Sequence, residues 1–541
     1  MKTDPEAQEY DIIVIGSGVG GLTVASLMTQ LRGKRVLVLE KHNRPGGYTH
    51  DFKRGRFHFD TGLHYLGQMH EESMMRRMID LVLGRNVDWV PMPDPYDTFI
   101  YPDLSANVYF DPERTIGELT QIFPKEARAI KRYFKDVKKA AAGLAMQMQT
   151  RNGWWFMRGI AAILRKVLRQ SPTLTTKEYL DAHFHHPQLK ALLVSQWGDY
   201  GLPPAQSPFG LHSMVVNFFS RGGYYPKGGS GTIGASVKEI VENGGGRFAL
   251  RREVTHIIIK HGCAVGVQAT KASAKGGAKE EQYFAPVVVS NAGAAETYLN
   301  LIPDDQPLPF RDEIRRFFRD NPPTTNMALF LGLSKDPREL EVNGSGLNGA
   351  NLWIYDRLDH DEIFALGSSW FDNGSPGHAY VSFHSIKDPE AEAHSAEILT
   401  FTDDYSFFSK WRDQPWKGRD EEYQKLKERI SGAMLAHVDR FVPGFADSVE
   451  FQELGTPLSN EFFTSHYQGA SYGIKSVPAR FSKANLKWTH PKTPIKGLFL
   501  TGMDVAGLGV TGAMMGGLMC VSHLPDRITM LNVRKAASKK S

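Results

Sequence analysis

Cysteine, net charge and long apolar runs are all scarce in this sequence, and each shortage excludes a class of protein. Only Cys263 and Cys520 occur in 541 residues, too few for a disulfide framework or a cysteine-rich metal site. The 64 Lys and Arg residues exceed the 59 Asp and Glu residues by five charges. This excess is too small to indicate a nucleic-acid-binding protein. No run of about 18 uncharged apolar residues occurs, so we expect no bilayer-spanning helix.

The N-terminus and the few cysteines indicate a cytoplasmic protein. Two cysteines fit a reducing compartment. The first apolar run, residues 10–15, follows an acidic leader and ends in glycines. We therefore expect a strand there and not a signal peptide.

The chain is long enough for two or three packed units, because a single core stops growing near about 250 to 300 residues. Strand, glycine-rich turn, helix and strand alternate over 10–39, which predicts a βαβ unit and a parallel sheet. Residues 71–220 read as longer amphipathic helices. Further strands are predicted at 254–259, 264–268, 286–289, 327–331, 379–383 and 497–500, and further helices at 235–243, 420–441 and from 512 onward.

These changes along the chain predict an α/β fold with a discontinuous, Rossmann-like dinucleotide-binding domain. A substrate domain of the α+β type is inserted into it twice. The predicted boundaries are 1–70, 221–300 and 490–525 for the dinucleotide-binding domain, 71–220 and 301–489 for the substrate and membrane-facing domain, and 526–541 for a basic tail that frays.

The pattern G-x-G-x-x-G occurs four times, so its context must decide which match binds a nucleotide. The matches begin at Gly16, Gly229, Gly344 and Gly507. Only the first follows a buried strand, opens a helix and has an acidic residue, Glu40, about 20 residues on. The matches at Gly229 and Gly507 each lead into a predicted helix, and they are either further walls of one site or tight turns before ordinary helices. The match at Gly344 is a loop.

Each residue of the first match has a physical role in holding a dinucleotide. Gly16 permits the tight turn, Gly18 lets the backbone approach the pyrophosphate, and Gly21 lets the helix and sheet pack closely. The helix N-terminus favours the phosphates. Glu40 can accept hydrogen bonds from ribose hydroxyls.

Two further segments favour FAD over a nicotinamide cofactor. A second glycine pair, Gly46 and Gly47, comes directly after the ribose-binding strand, as in flavoproteins whose chain returns beneath the diphosphate. Near the other end, a short strand at 497–500 is followed by Asp504 and a glycine-rich helix. Both ends of the chain therefore match one flavin-dinucleotide site.

Five segments resemble those of the phytoene desaturase superfamily, in the branch of retinol saturases and carotenoid isomerases. The resemblance runs from residue 11 to about 520. The segments are Arg44-Pro-Gly-Gly-Tyr-Thr-His50, Phe57-His-Phe-Asp-Thr-Gly-Leu-His-Tyr-Leu-Gly67, Gly222-Gly-Tyr-Tyr-Pro-Lys-Gly-Gly-Ser230, Val288-Val-Ser-Asn-Ala-Gly293 and Thr456-Pro-Leu-Ser-Asn-Glu-Phe-Phe463.

The resemblance implies a two-dinucleotide-binding-domain flavoprotein with noncovalent FAD. It further implies that Val254 is the adenine neighbour through its backbone and that Gly512 and Ala513 lie near the isoalloxazine. The remaining FAD contacts that it implies are Gly16, Gly18, Gly21, Glu40, Gly46, Gly47 and Asp504.

The activity implied by the resemblance is an FAD-dependent oxidation or reduction of carbon–carbon double bonds in a long hydrophobic lipid, retinoid or carotenoid-like. The direction depends on an electron donor or acceptor that is unknown. Three alternatives stay open: a fatty-acyl or branched-lipid desaturase, a redox-neutral polyene isomerase, and a flavin-bound lipid carrier without catalysis.

A proton must move as well as a hydride, because an isolated alkene carbon carries no activating carbonyl. His64 is the first candidate for the acid–base group, Tyr65 the second and Glu461 the third. Each has a structural alternative: a polar residue that closes the turn at Gly62, a core tyrosine and a solvated carboxylate.

A metal site is not expected from the histidines near the N-terminus. His50, His58, His64 and His70 match neither H-E-x-x-H nor a usual zinc spacing.

The segment 151–170 predicts a peripheral contact with a membrane. Residues 151–169 contain five basic and no acidic residues, interleaved with Trp154, Trp155 and aliphatic residues. As a helix, the segment separates an apolar stripe from a basic one and would lie in the headgroup plane. A core-packed helix with a solvated basic face is the alternative.

Overall fold

The computed structural model describes residues 10–84, 87–150, 174–272, 278–342 and 344–539. The proposed membrane segment 151–170 lies outside these residues. Within the described ranges, no helix combines the length and the apolar character needed to cross a membrane.

The strands follow in chain order. They are β1 Ile12–Ile15, β2 Val36–Glu40, β3 Asp51–Arg54, β4 Phe57–Asp60, β5 Leu66–Gly67, β6 Trp89–Pro91, β7 Asp97–Tyr101, β8 Leu104–Val108, β9 Gly223–Pro226, β10 Arg247–Leu250, β11 Arg252–Lys260, β12 Cys263–Ala272, β13 Ala278–Phe284, β14 Val287–Ser290, β15 Thr325–Leu333, β16 Glu341–Val342, β17 Ser345–Gly346, β18 Asn351–Tyr355, β19 His378–Ser382, β20 Ser395–Thr402, β21 Val449–Gly455 and β22 Leu498–Leu500.

The α-helices are α1 Val19–Arg32, α2 Met74–Leu83, α3 Pro112–Ile122, α4 Ala127–Thr150, α5 Thr176–His183, α6 Pro187–Val194, α7 Phe209–Phe218, α8 Gly231–Asn243, α9 Arg311–Asp320, α10 His360–Ala365, α11 Trp370–Asn373, α12 His384–Lys387, α13 Glu421–Asp439, α14 Pro457–Thr464, α15 Lys483–Leu486, α16 Gly509–Val521 and α17 Met530–Lys539.

A five-stranded parallel sheet joins three distant parts of the chain, in the order β10-β2-β1-β14-β22. Ile12 of β1 lies opposite Val36 of β2 on one side and Val287 of β14 on the other. Val288 of β14 in turn lies opposite Leu498 of β22. The carboxyl ends of these strands therefore meet at one edge, where an open α/β sheet binds its ligands.

Alternating residues of this sheet enter two different cores, as expected for parallel strands covered on both faces. Ile12 and Val14 pack with α1, α2, α8 and α16 on one face. Ile13 and Ile15 pack on the other face against the layer that includes Ile257 of β11. The α/β fold predicted from the βαβ pattern is confirmed.

Glycines allow the first and last segments of the fold to pack closely against each other. A Cβ on Gly20 would lie 2.4 Å from Gly502 Cα, and one on Gly516 would lie 2.1 Å from the Gly502 carbonyl oxygen. A Cβ on Gly517 would lie 2.5 Å from Thr23 Cβ. Helices α1 and α16 thus meet backbone to backbone beside the sheet.

The second large sheet has seven strands, in the order β21-β15-β20-β19-β18-β7-β8. All its pairings are antiparallel except that of β18 with β7. Strands β7 and β8 come from the part of the chain that was expected to be helical, so that expectation is wrong for 97–108. Strand β7 pairs with β18, about 250 residues further along the chain, and β8 pairs with β7, so the partner that completes this part of the sheet lies outside any local window.

The C-terminal tail is not frayed through 539. Residues 530–539 form α17, and Val533 and Ala537 are buried in the same core as α2. Met530, Val533 and Ala537 follow helical spacing, so the basic residues lie beside an apolar stripe that the charge count concealed.

Candidate functional site

One cavity extends from the carboxyl edge of the parallel sheet to the seven-stranded sheet. It is lined by residues from all three segments that build the parallel sheet and by residues of β15 and β20. Several of its walls are glycines, whose missing side chains leave the backbone exposed to a ligand.

The turn from β1 into α1 forms the first wall. Gly16 has a φ of +85°, a conformation that glycine adopts without strain. Gly18 is the N-cap of α1, and the N-terminus of this helix presents unpaired N–H groups to the cavity. Gly21 does not line the cavity; a Cβ there would lie 2.3 Å from the Gly16 carbonyl oxygen, so its role is close packing of helix on turn.

Glu40 ends β2 and lies in the same wall. Its Oε2 accepts hydrogen bonds from the backbone N of Ser17 at 2.8 Å and from Ser17 Oγ at 2.7 Å. Its Oε1 accepts one from the backbone N of His42 at 2.8 Å. These bonds orient the carboxylate at the end of the strand, where ribose hydroxyls bind in dinucleotide folds.

The glycine pair after β2 folds back onto the first turn. Gly46 and Gly47 have positive φ values of +128° and +58°, and Gly46 N donates to Ser17 Oγ at 3.0 Å. A Cβ on Gly47 would lie 2.9 Å from Gly18 Cα. The two glycine runs therefore form one continuous backbone surface along the cavity.

Asp504 ties the C-terminal segment to the other two. Its Oδ2 accepts from the backbone N of Ala294 at 2.7 Å, and its Oδ1 accepts from the backbone N of Ile474 at 2.9 Å. Ala513, in the first turns of α16, also lines the cavity. Gly512 does not line it. A Cβ there would lie 2.3 Å from the Gly507 carbonyl oxygen, so this glycine allows the preceding loop to pack closely against α16.

The strand β11 supplies Glu253 and Val254 to the far end of the cavity. This end is adjacent to Glu40 and Lys41, and Lys41 Nζ lies 3.0 Å from Glu253 Oε1. Val254 and Glu40 thus line the same end of the cavity.

Asn291 is a central residue that the motif search did not single out. It follows β14 and lines the cavity. Its backbone N donates to the Ile15 carbonyl at 2.8 Å. Its side-chain amide would lie 2.5 to 2.8 Å from Cβ atoms added to Gly18, Gly20 and Gly502, so these glycines make room for it. Its place at the end of a buried strand beside the first glycine turn was the available signal.

The inner end of the cavity carries apolar and aromatic residues. Leu399 and Phe401 of β20 and Tyr472 line it, together with Asn326 and His64. The Tyr472 hydroxyl donates to the Gly198 carbonyl at 2.7 Å. Burial lowers the pKa of His64 to about 3.

The other two acid–base candidates do not line the cavity. The Tyr65 hydroxyl lies 2.8 Å from Asp199 Oδ2 and 3.1 Å from Asp97 Oδ2, in a buried polar cluster. Glu461 accepts hydrogen bonds from the Tyr405 hydroxyl and, at 2.8 Å, from Arg412 Nη2. Both residues therefore have structural partners that account for their presence.

Sequence comparisons assign the chain to a family. Residues 14–81 match the NAD(P)-binding Rossmann-like domain. The all-trans-retinol 13,14-reductase of Danio rerio is 30% identical over 540 residues, covering 96% of this chain and 86% of that protein. The chain belongs to the all-trans-retinol 13,14-reductase family. This membership places it among the oxidoreductases and within the phytoene desaturase-like superfamily.

The chain is also similar in sequence to isomerases. The chloroplastic prolycopene isomerase of Arabidopsis thaliana is 26% identical over 540 residues, covering 97% of this chain and 84% of that protein. Among solved structures, an oxidoreductase from Methanosarcina mazei aligns with a TM-score of 0.60 at 15% identity, over 94% of this chain and 99% of that one. This likeness supports the Rossmann-like α/β fold.

Proposed function

We propose that this retinol reductase family member is an FAD-dependent oxidoreductase that acts on carbon–carbon double bonds of a long hydrophobic lipid. The observation that supports this most is the single cavity that joins glycine-lined walls at the parallel sheet to an apolar and aromatic wall at β20. A polar dinucleotide and an apolar substrate would meet within it.

The residues of the outer part fit a dinucleotide that spans both ends of the chain. The backbone surface of Gly18 and Gly47 leaves space that side chains would fill. The N-terminus of α1 favours a diphosphate, and Glu40 is oriented at the ribose position. The opposite wall, at Asp504 and Ala513, comes from the last segment, where the flavin end of the dinucleotide would lie.

Bound FAD would supply hydride transfer at the flavin N5. The inner wall would place the lipid against it, with Leu399 and Phe401 excluding water from the reacting carbons. The relatives' names, retinol reductase and prolycopene isomerase, support a retinoid or carotenoid-like substrate over a fatty-acyl or branched lipid.

His64 is the acid–base candidate that we retain, since it lines the cavity whereas Tyr65 and Glu461 do not. Saturation moves a proton to one alkene carbon while hydride reaches the other, and desaturation is the reverse. We propose that the proton passes through the polar part of the wall at His64 and Asn326. Ser471 Oγ donates to Asn326 Oδ1 at 2.6 Å, which orients that amide.

Product mass separates this activity from its rivals. The purified full chain is incubated with retinol, carotenes or unsaturated acyl lipids, with and without dithionite. A gain or loss of two hydrogen atoms supports the oxidoreductase and gives its direction. An unchanged mass with altered absorbance indicates the redox-neutral isomerase, and no product from a flavin-loaded protein indicates the carrier; either result contradicts the proposal.

We also propose a peripheral membrane contact through 151–170, supported by the basic and aromatic composition of that segment. A lipid of this kind is available mainly from a bilayer. Deletion of 154–169 is expected to release the protein from anionic liposomes. Equal liposome binding after the deletion would contradict this contact.

A further inference from the structure

Three potential metal ligands from distant parts of the chain meet behind the inner end of the cavity, where His64 lines the cavity and the other two lie buried beside it. They are His64, between β4 and β5, His384, the first residue of α12, and Glu397 of β20. One ligand atom from each lies within 4.8 Å of the other two. The spacing of the N-terminal histidines did not predict this cluster.

The backbone holds the three side chains in place. Ser382 of β19 pairs with Glu397 of β20, so His384, two residues later, emerges beside that carboxylate. Lys387 of the same short helix donates to the His64 carbonyl at 2.7 Å and to Ser382 Oγ at 2.5 Å. The loop that carries His64 is therefore fastened to α12.

The distances between the ligand atoms match one face of a tetrahedron around zinc. His64 Nδ1 lies 3.3 Å from His384 Nε2 and 3.6 Å from Glu397 Oε2, and His384 Nε2 lies 3.7 Å from that oxygen. Bonds of about 2.0 to 2.2 Å at the tetrahedral angle place neighbouring ligand atoms about 3.3 to 3.6 Å apart. An octahedral face would bring them closer.

Glu397 supplies an independent reason to expect a cation. The residue is 0% exposed, and neither carboxylate oxygen has a hydrogen-bond partner among the described residues. A buried carboxylate in that condition is costly unless a cation or donor compensates it. Lys387 interacts with Glu397 through its charge, but its ammonium group donates hydrogen bonds to His64, Ser382 and Asn351 and none to that carboxylate.

We propose that His64, His384 and Glu397 bind one divalent transition-metal ion of the zinc type. Two imidazoles and one carboxylate suit such an ion, and three protein ligands leave a fourth position for water or a substrate oxygen. This inference does not depend on the flavin, because none of the three residues belongs to the glycine-lined walls that would hold it. With the ion bound, His64 is its ligand, and water at the fourth position would replace His64 as the acid–base group of the proposed reaction.

Metal content of the unaltered full chain is the first test. The protein is purified without chelator and without a histidine tag, and its zinc is counted by elemental mass spectrometry. After chelation, zinc alone is titrated back against a competing chromophoric chelator. We expect one zinc per chain in both measurements; a substoichiometric value in both, or stoichiometric iron, would overturn the proposal.

Matched variants then locate the ion. His384→Gln and Glu397→Gln are each expected to weaken zinc binding by about 100-fold or more, since each removes one of three ligands. His437→Gln is the control, because His437 is a buried histidine, 2% exposed, that belongs to no group of three potential ligands among the described residues. Unchanged affinity in the first two variants would refute the site.

Zinc-edge X-ray absorption of the unaltered protein keeps the test decisive if a variant fails to fold. We expect two imidazole ligands and a first shell of nitrogen and oxygen only. A shell without imidazole would overturn the assignment. Flavin content is recorded in every sample, so that loss of the metal and failure of the flavin proposal are seen separately.

Discussion

Asp504 accepts a hydrogen bond from the backbone N of Ala294 at 2.7 Å, across 210 residues of sequence. The second carboxylate oxygen accepts from the backbone N of Ile474. One side chain thus joins the last segment of the fold to the turn after β14, at the wall of the cavity. The proposed cofactor site depends on this joint.

Asp504→Ala is expected to lower both stability and flavin content. The change leaves two buried backbone donors without their acceptor, at about 1 to 3 kcal/mol each. Thermal unfolding and the flavin-to-protein ratio measure the effect. Asp439→Ala, which removes the acceptor of the Ala446 backbone N outside the cavity, is expected to keep the full flavin ratio; equal flavin loss in both variants would contradict a specific role for Asp504.

Gly20→Ala is expected to disturb the contact between α1 and the last segment. The new methyl group would lie 2.4 Å from Gly502 Cα, and overpacking of this kind costs about 1 to 3 kcal/mol or more. Flavin affinity is therefore expected to fall by about 10-fold or more. Gly117→Ala, in α3 with no atom near its added methyl group, is the control; a Gly20→Ala protein with unchanged flavin affinity and melting temperature would count against the packing described.

Leu399→Trp is expected to block the lipid wall without affecting the flavin. The indole ring, which is larger than the leucine side chain, would occupy the inner cavity beside Phe401. Turnover of a long polyene is therefore expected to fall by about 10-fold or more while flavin content stays constant. Leu399→Met conserves volume and is expected to retain most activity. Full polyene turnover by the Trp variant would show that the substrate binds elsewhere.

The His58–Asp51 pair is expected to make stability depend on pH. The hydrogen bond and charge of Asp51 raise the pKa of His58, while for Asp51 burial acts to raise the pKa but hydrogen bonds from His58 and Arg44 lower it overall. The His58 contribution is complete below about pH 6.5 and is lost as pH rises through its raised pKa; the Asp51 contribution is complete above about pH 3.9 and is lost on acidification.

Urea unfolding of the unaltered chain and of His58→Gln, from pH 4 to pH 9, tests this pair. The difference in unfolding free energy is expected to be largest between about pH 4 and 6.5. It is expected to stay below about 1 kcal/mol, because the His58 side chain is 35% exposed and water screens the pair. His185→Gln, at an exposed position, is the control. A difference that grows at alkaline pH would contradict the assignment.

Local patterns were sufficient to predict the strands and helix that begin the parallel sheet. Ile12–Ile15 and Val36–Glu40 are continuous apolar runs, and the glycines between them require a turn before α1. The same reasoning predicted α8, β14 and β22 within a few residues, because each is bounded by glycine or by a buried apolar run.

Other features depend on partners that are remote in sequence. Strand β7 becomes a strand by pairing with β18, and His64 meets His384 across 320 residues. Gly512 matched a motif, yet its neighbour is the backbone of Gly507 and not the cavity. No window of local sequence contains these contacts, so only the folded chain shows them.

The central claim is that three segments of this chain form one FAD site, and the cofactor content of the purified protein tests it most directly. The account predicts a visible flavin absorbance band and about one FAD per chain, released intact when the protein is denatured. A folded protein that stays colourless, and that binds no FAD on reconstitution, would contradict the claim.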